Sequence, residues 1–206
     1  MKKLLLTSAG FLNPRLGEEF LKLVGKNPAD IRVLFIPTAS EYKLENKDGM
    51  FYVKESEKEL INIGVLKEHI FWLNMGDISK AGQISSYDVM YVCGGNTFYL
   101  MSKLKGAGFD KKIIEFIDSG KVYVGVSAGS VIAGPDISIA GPFDPNDVGL
   151  EDMEGLDLTD KIICPHYHIS EENIISKFEE KHSKVVLRLK DNQALEVLGD
   201  NSNIIE

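Results

Sequence analysis

Arginine occurs only three times in the 206 residues, at Arg15, Arg32 and Arg188, and basic residues as a whole are outnumbered, 23 Lys and Arg against 31 Asp and Glu. The formal net charge of -8 argues against nucleic acid and against anionic membrane surfaces as partners, because both are held by basic patches. Cysteine is scarce as well. Cys93 and Cys164 each sit in an apolar, strand-like run, so two buried, inert thiols and a reducing cytoplasm are expected, with no disulfide framework. No run approaches the roughly 18 apolar residues that span a bilayer. The start M-K-K-L-L-L offers three leucines before Thr7 and Ser8 and reads as a first buried strand, not an export signal. Repeats, low-complexity stretches and linkers are missing, which leaves one domain over residues 1–206.

What is present is an alternation of β-branched apolar runs with amphipathic stretches, the pattern of an α/β domain with a mainly parallel sheet flanked by helices. Strands are predicted at Lys3 to Thr7, Ile31 to Pro37, Ile70 to Leu73, Val89 to Cys93, Val122 to Val126 and Lys161 to Cys164. Most are apolar throughout, as a strand covered on both faces requires. Helical spacing covers Leu16 to Val24, Lys54 to Ile63, Thr97 to Leu104, Asp110 to Ser119 and Glu171 to His182. Val185 to Leu189, Ala194 to Leu198 and Asn203 to Ile205, separated by turn residues, predict a short antiparallel C-terminal extension.

After the strand ending Val122-Tyr123-Val124 comes G-V-S-A-G-S, in which Gly125, Ser127 and Gly129 satisfy G-x-S-x-G. This spacing makes a nucleophile elbow: small residues permit a sharp strand-to-helix turn that projects the serine hydroxyl from the sheet. The pattern also occurs at inert glycine turns. Neither G-x-G-x-x-G nor a P-loop lysine is present, which sets a phosphate cradle aside. A second turn, Gly94-Gly95-Asn96-Thr97, follows a strand and opens a helix with Thr97 as the expected cap. Two such turns at neighbouring strand ends would face one crevice, so the Gly95 and Ala128 amides could share a substrate oxygen.

Of the four histidines, His69 and His182 have structural explanations, whereas His166 follows the strand ending Cys164-Pro165, where site groups gather. His168, two residues on, would point elsewhere, and a metal pair of His166 and His168 lacks further ligands. A serine and a histidine need an acid that orients the imidazole. Asp144, between serine and histidine, and Asp191, after the histidine, both qualify on position. The turn-rich stretch 135–160 holds eight acids and no Lys or Arg, a functional loop or a solvated surface.

Three segments, V-C-G-G-N-T-F-Y-L at 92–100, G-V-S-A-G-S-V-I-A-G-P at 125–135 and C-P-H-Y at 164–167, resemble peptidase family S51, which includes aspartyl dipeptidase and cyanophycinase. The resemblance implies a class I glutamine amidotransferase-like fold with serine in place of the nucleophilic cysteine. It implies Ser127 as nucleophile, His166 as base, and the Gly95 and Ala128 amides as oxyanion hole. It also places the acid in a leucine-x-acid segment near the last strands, matched by Leu189-Lys190-Asp191, where Asp is one methylene shorter than the dipeptidase glutamate. Asn96 and Ser130 are expected near substrate from position alone.

The expected activity is hydrolysis of small peptides through a Ser-His-Asp triad and an acyl-enzyme, with no metal or organic cofactor and a homodimer as the expected assembly. Recognition of an aspartyl side chain calls for a nearby cation, and the loop 135–160 supplies none, so Asp-X dipeptides are not the expected preferred substrate. The rivals are an acyl hydrolase of the esterase kind, which needs a wide apolar pocket, and a non-catalytic small-ligand binding protein in which Ser127 merely caps a helix.

Overall fold

The computed structural model describes residues 1–42 and 47–206. Among these, five parallel strands form one side of a seven-stranded sheet: β1 (Lys3–Thr7), β2 (Val33–Ile36), β3 (Ile70–Trp72), β4 (Val89–Val92) and β5 (Val122–Val126). Two further strands, β8 (Ala194–Leu198) and β9 (Asn201–Ile205), add antiparallel to β1, giving the order β3-β2-β4-β5-β1-β8-β9. The mainly parallel α/β sheet and the antiparallel C-terminal pair are those expected from the sequence.

The continuous apolar runs follow from burial on both faces, because successive strand residues point to opposite sides. Leu5, Val33, Phe35, Tyr91 and Val124 pack under α1 (Pro14–Val24) and α2 (Lys47–Asn62). Leu4, Leu6, Leu34, Ile36, Met90 and Tyr123 face the opposite way, toward α3 (Thr97–Gly106) and α4 (Phe109–Asp118). Helix α1 shows the local rules: Asn13 accepts from the Arg15 amide, Pro14 fills the first turn, and Gly25 closes the helix at φ 68°. Its stripe Leu16, Phe20 and Leu23 is buried, the i, i+4, i+7 spacing of a core-facing helix.

Two sequence expectations are corrected. The 185–189 run is not part of the antiparallel extension: β7 (Val186–Arg188) pairs parallel with β6 (Ile162–Cys164) in a separate two-stranded sheet. The cause is the crossover helix α6 (Glu172–His182) between them, since a β-α-β connection returns the chain in the same direction. The cap of α3 is Asn96, whose side chain accepts from the Tyr99 amide at 2.8 Å, one residue before the expected Thr97. Among the described residues no helix is long and apolar enough to cross a membrane.

Candidate active site

The carboxyl ends of β1, β4 and β5 meet the loop after β6 and the turn after β7, the place where open parallel sheets hold their ligands. Ser127 sits there at φ 50° and ψ -111°, a strained conformation for a side-chain-bearing residue. Close packing enforces the turn. A Cβ on Gly125 would lie 2.5 Å from the Gly129 carbonyl oxygen, and one on Gly129 would lie 2.3 Å from that of Val92. The Tyr123 hydroxyl donates to the Gly129 carbonyl at 2.7 Å, and the Ser127 amide donates to the Thr7 carbonyl at 3.1 Å. The helix that follows, α5 (Ala128–Val131), is a single turn.

Although Ser127 is the N-cap residue of α5, its hydroxyl makes no capping bond. It points instead to His166, with Oγ 2.9 Å from Nε2. On the other side of the ring, Nδ1 lies 2.7 Å from Asp191 Oδ1. A carboxylate beside Nδ1 favours the tautomer protonated there, which turns the Nε2 lone pair toward the Ser127 hydroxyl. His166 itself has φ 57°. The side chains of His166 and Asp191 are 50% and 58% exposed, so solvent reaches this pair freely.

Gly95 faces the same serine. It has φ 138°, and a Cβ there would lie 2.2 Å from the Ala39 carbonyl oxygen, so only glycine fits this turn. Among the described residues neither the Gly95 amide nor the Ala128 amide donates to a protein acceptor, and both residues border one cavity with Ser127 and His166. These are two available donors at a glycine turn and a helix start.

The other candidate side chains make contacts outside the Ser127, His166 and Asp191 line. Asp144 accepts from the Thr97 amide at 2.8 Å, where a carboxylate complements the start of α3, and its carboxylate also borders the smaller cavity. Ser130 and Asn96, expected near substrate, are corrected. Ser130 is fully buried, and its hydroxyl is satisfied by the Thr7 and Gly125 carbonyls at 2.7 and 2.9 Å, tying the elbow to β1. Asn96 is 5% exposed; besides capping α3, its side chain donates through Nδ2 to the Pro145 carbonyl at 2.8 Å. Nδ1 of His168 turns back on the Ser170 hydroxyl at 2.9 Å, and the ring of His182 stacks on Phe178 at 4.3 Å. No group of three or more metal-ligating side chains occurs among the described residues.

Thr7 and Ser8, buried at the end of β1, are site residues that the sequence motifs do not mark. Thr7 receives the elbow amide through its carbonyl, while the Ser8 hydroxyl contacts both the His166 amide and Asp191. The signal available was positional: they are small polar residues at the carboxyl end of a predicted central strand.

Two cavities open on the serine and histidine. The smaller, about 110 Å³, is walled by Val131, Ile139, Ala140, Phe143 and Ile163, with Asp144 and Glu171 at its polar side. The loop 135–160 thus builds one wall of the site. The larger, about 560 Å³, runs under α2 and is bordered by Phe51, Tyr52, Glu55, Ser56, Glu59 and Asp191. Burial pushes the Glu59 carboxyl up, opposed by its bond from the Phe11 amide and reinforced by Glu55. The three arginines are engaged elsewhere: Arg15 with the Glu206 carbonyl, Arg32 over the Tyr87 ring, and Arg188 between Glu172 and Glu179.

The sequence matches the profile of peptidase family S51 over residues 4–205. It is 38% identical over 173 residues to an uncharacterized peptidase of Listeria monocytogenes, covering 82% of this chain and 79% of that one. It is 28% identical over 193 residues to peptidase E of Streptomyces coelicolor, covering 87% and 73%. In structure it resembles the 1.5 Å crystal structure of a candidate peptidase E protein from Listeria monocytogenes, with a TM-score of 0.81, 32% identity, and coverage of 100% and 98%. A peptidase from an acI-B1 actinobacterium shares the fold, with a TM-score of 0.70 at 19% identity over 100% and 87% of the chains. With a serine elbow and a histidine in hydrogen-bonding contact, and with this match over nearly its whole length, the chain belongs to peptidase family S51 and is a serine-type peptidase.

Proposed function

We propose that this enzyme hydrolyses small peptides through an acyl-enzyme on Ser127, with His166 as general base and Asp191 as the acid that orients it. The observation carrying this reading is the unbroken line Asp191 Oδ1, His166 Nδ1, His166 Nε2, Ser127 Oγ, with contacts of 2.7 and 2.9 Å. His166 takes the Ser127 proton as Oγ attacks the peptide carbonyl, and the oxyanion that forms is met by the Gly95 and Ala128 amides. The imidazolium, paired with Asp191, then protonates the departing amine. Water enters by the same route to release the acyl group. Two free, buried thiols suit a reducing cytoplasm, which is where we place this activity.

The lining of the larger cavity favours neutral or cationic substrate side chains over carboxylates. Glu55, Glu59 and Asp191 repel a like charge, and Phe51 and Tyr52, in edge contact at 5.5 Å and largely exposed at the rim, offer apolar surface. A dipeptide panel tests both parts. Neutral and Lys-X or Arg-X dipeptides are expected to exceed Asp-X in kcat/KM, and Ser127→Ala is expected to lower turnover by at least about 10³-fold. Preferential cleavage of Asp-X would overturn the specificity, and an undiminished Ser127→Ala rate would overturn the mechanism.

A further inference from the structure

Asp191 and His166 present a problem of positioning. Both side chains are half open to water, so packing alone does not hold the carboxylate against Nδ1, and His166 occupies a left-handed backbone conformation that surrounding contacts must maintain. Ser8 answers both needs. It is fully buried, directly after β1, and its amide donates to the Gln193 carbonyl at 3.1 Å, two residues beyond Asp191. Its hydroxyl oxygen accepts from the His166 amide at 2.6 Å. The single hydroxyl proton is donated to Asp191 Oδ1 at 3.2 Å, the same oxygen that meets His166 Nδ1.

We propose that Ser8 is a positioning residue of the catalytic apparatus, its hydroxyl locking the His166 backbone and the Asp191 carboxylate to one another so that the imidazole is held in line with Ser127. The closed circuit runs from the Ser8 hydroxyl to Asp191, to the His166 ring, to the His166 amide and back to the hydroxyl. Its anchor is rigid. β1 lies between β5, which carries the elbow, and β8, which follows the Asp191 turn. Thr7 receives the Ser127 amide and Ser8 receives the His166 amide, so two consecutive residues set the nucleophile and the base at a fixed separation. A misplacement near 1 Å in such a pair costs on the order of 100-fold in rate.

This inference rests on the Ser127-His166-Asp191 reading, and the test separates the two. Ser8→Ala, Asp191→Asn and the double variant are compared with wild type in kcat and KM, after circular dichroism and thermal melts confirm folding. Ser8→Ala is expected to lose about 10- to 100-fold in kcat with KM within about twofold. If Ser8 acts through Asp191, Ser8→Ala costs little further kcat in the Asp191→Asn background. Ser8→Cys, close in size but a much weaker donor, carries the same test should the alanine variant not fold. A wild-type kcat for a folded Ser8 variant, or kcat losses that multiply in the double variant, would overturn the proposal while leaving the triad intact. A wild-type rate for Asp191→Asn would instead overturn the triad reading itself.

Discussion

Cys164 lines the smaller cavity beside Pro165 and His166, yet its chemistry is shut off. Burial pushes its thiol up to about 12, with Glu171 reinforcing the shift, so thiolate is negligible at neutral pH. Iodoacetamide at pH 7.5 is therefore expected to leave Cys164 unmodified and peptidase activity unchanged, and rapid alkylation of Cys164 mapped by mass spectrometry would contradict the inert thiol. Gly95 has the opposite profile: nothing reactive, but no tolerance. A Cβ at φ 138° and 2.2 Å from the Ala39 carbonyl oxygen must displace the turn. Gly95→Ala is expected to cost about 1–3 kcal/mol of stability in denaturant melts and, with its amide moved from the proposed oxyanion position, to lower kcat by about 10²-fold or more. A wild-type kcat for this variant would overturn the oxyanion role proposed for Gly95. At this scale the sequence carried the elbow and His166 clearly, because glycine spacing and histidine scarcity are local signals. Ser8, Ser130 and Asn96 show its limit, since whether a small polar side chain faces substrate or the core is decided by neighbours more than 100 residues away for two of them.

At the scale of elements, the unit β6-α6-β7 carries the histidine loop. Arg188 on β7 reaches α6 through both Glu172 and Glu179, at 2.8 to 3.0 Å, and the Tyr167 hydroxyl, next to His166, donates to Glu172 at 2.8 Å. The Arg188 guanidinium, with help from Tyr167 and Ser176, brings the Glu172 carboxyl from 4.5 down to about 2. A carboxylate depressed in this way stabilises the fold above its unfolded pKa and loses that contribution as pH falls through the folded value. Stability is thus expected to drop between about pH 4.5 and 2, and Glu172→Gln to flatten that drop in acid titrations followed by circular dichroism. An unchanged acid profile would contradict the role given to this cluster. The run Val185 to Leu189 has the same look in either direction, so its pairing sense is not legible in it. Only the intervening helix decides its sense, and strand pairing is a non-local property that periodicity does not encode.

Over the whole molecule, alternating apolar runs were enough to read a mainly parallel sheet, since burial on both faces leaves a continuous hydrophobic signature. The choice between Asp144 and Asp191 could not be made that way. Both follow plausible site segments, and only the packed structure puts Asp144 at the start of α3 and Asp191 beside His166. The fold brings three strand ends and two connecting loops to one point, and the reactivity proposed for Ser127 arises there. Fluorophosphonate labelling with the modified peptide mapped by mass spectrometry tests this directly. Labelling is expected at Ser127, lost in Ser127→Ala, strongly slowed in His166→Ala and Asp191→Ala, and retained in Asp144→Ala. Folded wild-type protein that stays unlabelled, or labelling that depends on Asp144 and not on Asp191, would contradict it.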